Sequence, residues 1–170
     1  MDDLNLSKDI DVPFVTDYIV VPGDWLDLNG HMNVTYYLRA FDLAFDKIYG
    51  LLGFTEEGLE RHGRTTFTAE LHITYQRELH GGDRLRITNQ LLDFDAKRMH
   101  FFQYMYHAEQ GYLAATCEWL ILHIDFRKRK VSPMPDALLA CLARMKQLHA
   151  GLPQPPEAGR RISLAAGRPR

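Results

Sequence analysis

Two carboxylates, two amides and an imidazole fall within the ten residues Asp24-Trp25-Leu26-Asp27-Leu28-Asn29-Gly30-His31-Met32-Asn33. Crowded polar groups at the start of an apolar helix are expensive unless they do something. Asp27 can attack an activated carbonyl carbon, or take a proton from the water that does. Asn29 and His31 can orient that water or hold Asp27, and Asn33 can hold the loop. The backbone N–H groups around Gly30, His31 and Met32 can receive charge developing on a carbonyl oxygen. Gly30 adds no side chain to hinder a ligand. The chemistry this set suits is acyl transfer to water. No Ser or Cys sits in a nucleophile elbow, which argues against a Ser-His-Asp hydrolase. The acidic residues and Gly30 miss the offsets of a calcium loop, and no metal is expected. The same residues would also serve as a turn and helix cap, so the elements around them decide between the two readings.

Those elements read as follows. Phe14 to Val21 is a first strand, ended by Pro22-Gly23. A helix runs from Met32 to Leu52, apolar but for a narrow stripe of Arg39, Asp42 and Asp46, so other structure should wrap it. Thr55 to His62 is a short helical turn between Gly53 and Gly63. The period then becomes two, in runs around Thr66–Tyr75, Arg84–Leu91, Met99–His107 and Tyr112–Phe126. Short turns between them predict successive antiparallel neighbours. Strict alternation puts Phe67, Ala69, Leu71, Ile73 and Tyr75 on one face, with Glu70 and His72 on the other. Asp136 can cap a last helix, Ala137 to His149. The fold class is α+β: one long central helix wrapped by a curved antiparallel sheet of about five strands, plus a C-terminal helix. The organisation is an N-terminal arm (1–13), a single domain (14–150) and a flexible tail (151–170).

The chain has 170 residues, 46% apolar and 25% charged, with net charge −2. This suits one soluble domain and argues against nucleic acid as a partner. The start is acidic rather than signal-like, and no apolar run is long enough to span a membrane. Cys117 and Cys141 read as buried free thiols, which fits a cytoplasmic protein.

The segment Asp27-Leu28-Asn29-Gly30-His31-Met32-Asn33, followed by Tyr36, resembles the hotdog-fold thioesterases, in particular the 4-hydroxybenzoyl-CoA thioesterase-like group, over roughly residues 14–126. The resemblance implies a hotdog fold and places the catalytic carboxylate on Asp27, three residues before the glycine Gly30. Asp27, Asn29 and His31 are also similar to the Asp-x-Asn-x-His motif of plant acyl-ACP thioesterases. Gln76-Arg77-Glu78 matches their later Arg-Arg-Glu run only in part. A second likeness rests on Thr68-Ala69-Glu70-Leu71-His72-Ile73, Asp95-Ala96-Lys97-Arg98-Met99-His100, Ala115-Thr116-Cys117-Glu118, Leu152-Pro153-Gln154-Pro155-Pro156 and Gly159-Arg160. These look like the thioesterases of bacterial carnitine breakdown, which occur alone or fused to carnitine dehydrogenase and hydrolyse betainyl-CoA.

The resemblance implies an acyl-CoA substrate, with coenzyme A present as part of the substrate and no separate cofactor. It implies a homodimer or tetramer with its site between subunits, and an unpaired sheet edge would favour that. Trp25, Tyr36 and Tyr37 would line the acyl pocket or pack in the core. For a trimethylammonium group they would form an aromatic cage, aided by Glu70. Lys97-Arg98 and Arg127-Lys128-Arg129-Lys130 are candidates for the coenzyme A phosphates. Two alternatives stand beside this reading. Hotdog hydratases use Asp-x-Asn-Pro-x-His, whereas here Asp27 and His31 are four apart and Gly30 replaces the proline. A non-catalytic acyl-CoA-binding domain would have no use for Asp27.

Overall fold

The computed structural model describes residues 11–16 and 18–164. Most of the expected N-terminal arm, and the tail beyond 164, lie outside the described residues. In chain order the elements are β1 (Phe14–Val15), β2 (Ile19–Val20), a 3₁₀ turn (Gly23–Trp25), α1 (Val34–Leu43), α2 (Asp46–Leu52), α3 (Glu56–His62), β3 (Arg64–Tyr75), β4 (Arg84–Phe94), β5 (Arg98–His107), β6 (Leu113–Asp125), β7 (Lys130–Val131) and α4 (Asp136–His149). All strands form one antiparallel sheet in the order β1-β4-β5-β6-β3, with β2 also on β4 and β7 on β6. The expected α+β architecture of a central helix on a curved sheet is the one observed.

The strand order departs from the expected meander at one place, and that place matters. β4, β5 and β6 follow one another, but β3 pairs with β6 rather than with β4. Residues 76–83 therefore cross the end of the sheet. Tethers hold this crossing: Gln76 and Arg77 donate N–H groups to Ala114 O, and the Tyr112 hydroxyl donates to Glu78 O. The Leu79 side chain is buried, and its carbonyl accepts the Met32 N–H. The crossing thus delivers Glu78 and His80 to the segment that carries Asp27. A short connection had suggested adjacency, but strand pairing is decided by which faces must be buried.

The long helix is two helices. α1 begins at Val34, where Asn33 caps it by accepting the Thr35 N–H, and it stops at Leu43. α2 resumes at Asp46. The break is anchored from the sheet: Gln103 Nε2 donates to Phe41 O at 3.0 Å, and Asn89 Nδ2 donates to Ala44 O at 3.5 Å. Gln103 also bridges Asn89 Oδ1 and the Trp119 indole N–H. The carbonyls freed by the break are thus satisfied by buried amides. Tyr37, Ala40, Phe41, Ala44, Phe45 and Ile48 press on the sheet, with Phe45 edge-on to both Phe101 and Trp119. The opposite side, including Arg39, Asp42 and Asp46, is exposed, so within one chain the sheet covers this helix pair rather than wrapping it.

Two further expectations change. The alternation of β3 breaks at a bulge between Thr68 and Glu70. Thr68, paired with Ile121, and Leu71, paired with Trp119, face the core side, whereas Phe67 turns to the outer face with Glu70 and His72. The expected first strand is also split into β1 and β2, both on β4.

Residues 151–164, expected as part of a flexible tail, lie across the outer face of the sheet. Pro155 is buried, Gln90 donates to Pro153 O, and the Gly159 N–H meets both Glu118 carboxylate oxygens at 3.0 and 2.9 Å. The composition suggests mobility, but buried outer-face residues such as Phe102 and Thr116 need cover, and this segment supplies part of it. Cys117 and Cys141 are buried free thiols, and burial pushes both upward in pKa. No helix among the described residues is long and apolar enough to cross a membrane.

Candidate active site

Asp27 organises the loop between the 3₁₀ turn and α1. Its Oδ1 accepts the N–H groups of Asn29 at 2.8 Å and His31 at 3.3 Å, and its Oδ2 is 3.5 Å from Asn29 Nδ2. Its backbone N–H donates to His31 O, and its carbonyl accepts the Gly30 N–H. The Asn29 N–H foremost, with the His31 N–H, holds the Asp27 carboxyl below the usual carboxylate range. The carboxyl is therefore ionised at neutral pH, and the residue is only partly buried, so it is reachable. Gly30 is required here by conformation: its φ is +77°, and a Cβ would point into open space.

The same bonds correct one expectation. The N–H groups of Gly30, His31 and Met32 were expected to receive a developing oxyanion. All three are already committed, to Asp27 O, Asp27 Oδ1 and Leu79 O respectively. The reason is that the helix starts later, at Val34. In its first turn the Asn33 N–H goes to Trp25 O, Thr35 N–H to Asn33 Oδ1 and Tyr36 N–H to Asn33 O. Among the described residues the Val34 N–H has no acceptor, and Val34 is exposed. That donor, at the positive end of α1, is open to an oxygen of a ligand.

His31 reaches the other way. Its Nε2 is 3.4 Å from Glu78 Oε2 on the crossing segment, and its ring meets that of His80 edge-on at 5.0 Å. His80 Nε2 is 3.8 Å from Glu78 Oε1, and its Nδ1 is 3.7 Å from Asp83 Oδ2. Asp83 accepts the His80 backbone N–H and faces the buried His107 at 3.4 Å. Glu78 was doubtful from the partial Arg-Arg-Glu match, and the structure brings it to His31. His80, Asp83 and His107 were missed. The sequence signal available was only His80-Gly81-Gly82-Asp83, which reads as an ordinary turn.

The aromatic residues divide. Trp25 and Tyr36 stack on each other beside the loop, with centroids 5.1 Å apart and planes 8° from parallel. Tyr37 turns into the core, edge-on to Tyr75, and burial pushes its hydroxyl up to about 12. Glu70 is elsewhere. It lines an outer-face groove of about 690 Å³ with His72, Asp93, His100, Glu118 and Arg161, a lining that includes no residue of the Asp27 loop. The three rings and Glu70 therefore do not form one cage within this chain, because the β3 pleat carries Glu70 to the face opposite α1. Lys97 lies in the β4–β5 turn and Arg98 opens β5, where it pairs with Asp95, and Arg129 stands over Phe67 and Phe126 at the far end of β3.

Comparison with known proteins places this geometry. Residues 20–142 match the family model described as the thioesterase-like superfamily. The chain is 37% identical over 161 residues to the L-carnitine dehydrogenase/betainyl-CoA thioesterase of Ruegeria pomeroyi, covering 94% of this chain but only 32% of that protein's length. It is 30% identical over 141 residues to the betainyl-CoA thioesterase of Pseudomonas aeruginosa, covering 83% of this chain and 89% of that one. Among solved structures, it is similar to the Staphylococcus aureus protein SAV2348 in complex with CoA, with a TM-score of 0.82 and 26% identity over 92% of this chain and 99% of that one. The DHNA-CoA thioesterase of the same organism shares the fold, with a TM-score of 0.72 and 16% identity over 80% of this chain and 92% of that one.

Proposed function

The chain belongs to the thioesterase-like superfamily, and from that premise we propose that it hydrolyses an acyl-CoA thioester to a carboxylic acid and free coenzyme A, with betainyl-CoA as its substrate. The observation that carries the reading is the Asp27 loop: an ionised, reachable carboxylate pinned by two backbone N–H groups just ahead of α1. Asp27 Oδ2, with a single long contact to Asn29, is the free oxygen. It attacks the thioester carbon, breaking the C–S bond to release coenzyme A thiolate and leaving an anhydride that water then hydrolyses. Alternatively, it takes the proton of a water whose attack expels the thiolate, which then receives that proton. Both roles need the ionised form. The Val34 N–H is the donor for the carbonyl oxygen as it becomes negative. His31 fixes Asp27 through its backbone, and Glu78 orients the His31 ring.

Betainyl-CoA as the acyl group is supported by the names of two relatives and by the charge of this surface. A trimethylammonium group neither donates nor accepts ordinary hydrogen bonds, so aromatic faces and carboxylates must recognise it. Glu78 lies next to one such ring, Tyr112, whose hydroxyl donates to Glu78 O. The Arg77 guanidinium sits 4.0 Å over the Tyr112 ring, so a ligand cation on that face has to displace it. Tyr112 with Glu78 is offered in place of the expected Trp25, Tyr36, Tyr37 and Glu70 cage, which this chain does not bring together. Each good ring contributes on the order of 2 kcal/mol to a desolvated cation. The test compares kcat/KM for betainyl-CoA, an isosteric neutral acyl-CoA and an aryl-CoA by thiol release. Betainyl-CoA should lead the neutral analogue by roughly one to two powers of ten. A lead by the neutral or aryl substrate removes betainyl-CoA and leaves acyl-CoA hydrolysis standing. Hydration of an enoyl-CoA, or binding without thiol release, removes hydrolysis as well.

A further inference from the structure

We propose that His31, Glu78 and His80 form a binding site for one divalent transition-metal ion of the zinc and cobalt class. The three side chains come from two segments that an isolated antiparallel bridge, His31 to His80, places side by side. Glu78 and His80 are two apart in extended chain around the buried Leu79, so both project to the same side, toward His31. One ligating atom from each, two imidazole nitrogens and a carboxylate oxygen, lie within 4.8 Å of one another. A tetrahedral zinc site has bonds of roughly 2.0–2.2 Å. Closing this cluster onto an ion therefore needs only small rotations of partly exposed side chains, with no movement of the backbone.

The contacts as they stand support an ion rather than a finished hydrogen-bond network. His31 to Glu78 is 3.4 Å and His80 to Glu78 is 3.8 Å, both beyond a good hydrogen bond. The nitrogen of His80 that faces away from Glu78 is 3.7 Å from Asp83 Oδ2, too long for a hydrogen bond but within reach of one after a small rotation. A carboxylate on the far nitrogen of a ligating histidine fixes its tautomer and raises its basicity, and is a recurrent feature of metal sites. Asp83 is itself positioned, by the His80 N–H and by buried His107. Two imidazoles and one carboxylate with an open position is a donor set suited to Zn²⁺ or Co²⁺. The usual ligand spacing is missing from the sequence because the ligands are contributed by two separate segments.

Binding itself does not rest on the thioesterase reading, but its consequence does: the ion would engage His31 and Glu78 beside Asp27, and hydrolysis would slow. The test titrates Co²⁺ into the full chain stripped with a chelator, and reads the visible d–d absorption. The account expects bands that saturate at one equivalent, are displaced by Zn²⁺, and weaken at least tenfold in affinity in His80→Ala and in Glu78→Ala. His80→Ala leaves the 80–83 turn intact, because Asp83 accepts the backbone N–H of residue 80, which alanine keeps. His100→Ala, on the outer face, should leave the bands unchanged. In the thiol-release assay Zn²⁺ should inhibit the unmodified protein and not His80→Ala. A featureless spectrum at millimolar Co²⁺, or bands indifferent to both His80→Ala and Glu78→Ala, overturns the proposal. Bands without inhibition would keep the site and remove its effect on catalysis.

Discussion

Asp27 carries the account through its second oxygen. Oδ1 closes the turn with two N–H groups, as Asp95 Oδ1 does in the β4–β5 turn, whereas Oδ2 is nearly free, unlike Asp95 Oδ2, which Arg98 holds. Asp27→Asn keeps the shape and removes both basicity and nucleophilicity, so it should cost on the order of 10²–10⁴ in kcat while substrate binding changes little. At this scale the sequence was informative about Asp27, Asn29 and His31, because they lie within one loop. It was uninformative about Glu78, His80 and Asp83, which reach His31 only through the crossing of residues 76–83. It also set the oxyanion donors two to four residues early, since α1 starts at Val34 rather than at Met32.

Among the elements, the decisive device is the amide pair under the helix break. Gln103 is fully buried and joins Phe41 O, Asn89 Oδ1 and Trp119 Nε1. Gln103→Leu would orphan these partners at once. An unsatisfied buried group costs about 1–3 kcal/mol, so the expected loss is about 3 kcal/mol, or roughly 6–12 °C in Tm. Calorimetry checks this, and a change below about 1 kcal/mol would mean that the break does not depend on the network. The periodicities of β3 to β6 were legible, and so were their approximate ends. The β3–β6 pairing, the bulge after Thr68 and the split between α1 and α2 were not. Each depends on a partner distant in sequence: Ile121 and Leu120 for the bulge, Asn89 and Gln103 for the split.

Over the whole molecule, two further outcomes are expected. The first concerns acid. His149 on α4 is buried and accepts the Leu91 N–H at 3.0 Å, so it must be neutral at that nitrogen. Burial lowers its pKa from an unfolded value of 6.5, and does the same to His123. The unfolded chain therefore binds more protons as pH falls. The stabilisation is complete above pH 6.5 and is lost as pH drops through the lowered folded values. Tm measured across this range should decline on the acid side. His149→Gln, which can still accept from Leu91, should flatten the decline, and an unchanged slope would remove His149 as a cause.

The second outcome is a homodimer. Among the described residues β3 is paired on one side only and exposes Phe67, Leu71 and Tyr75, an edge that a second copy would cover. Sedimentation of a stable, active monomer would refute that.

The central claim is that Asp27 hydrolyses an acyl-CoA thioester. The most direct measurement is coenzyme A release from betainyl-CoA by the unmodified protein and by Asp27→Asn, with binding of the substrate measured for both. The account predicts turnover by the first, a loss of at least a hundredfold in kcat by the second on the order expected for a missing acid–base or nucleophilic group, and similar binding. Near-equal turnover by the two proteins would contradict it.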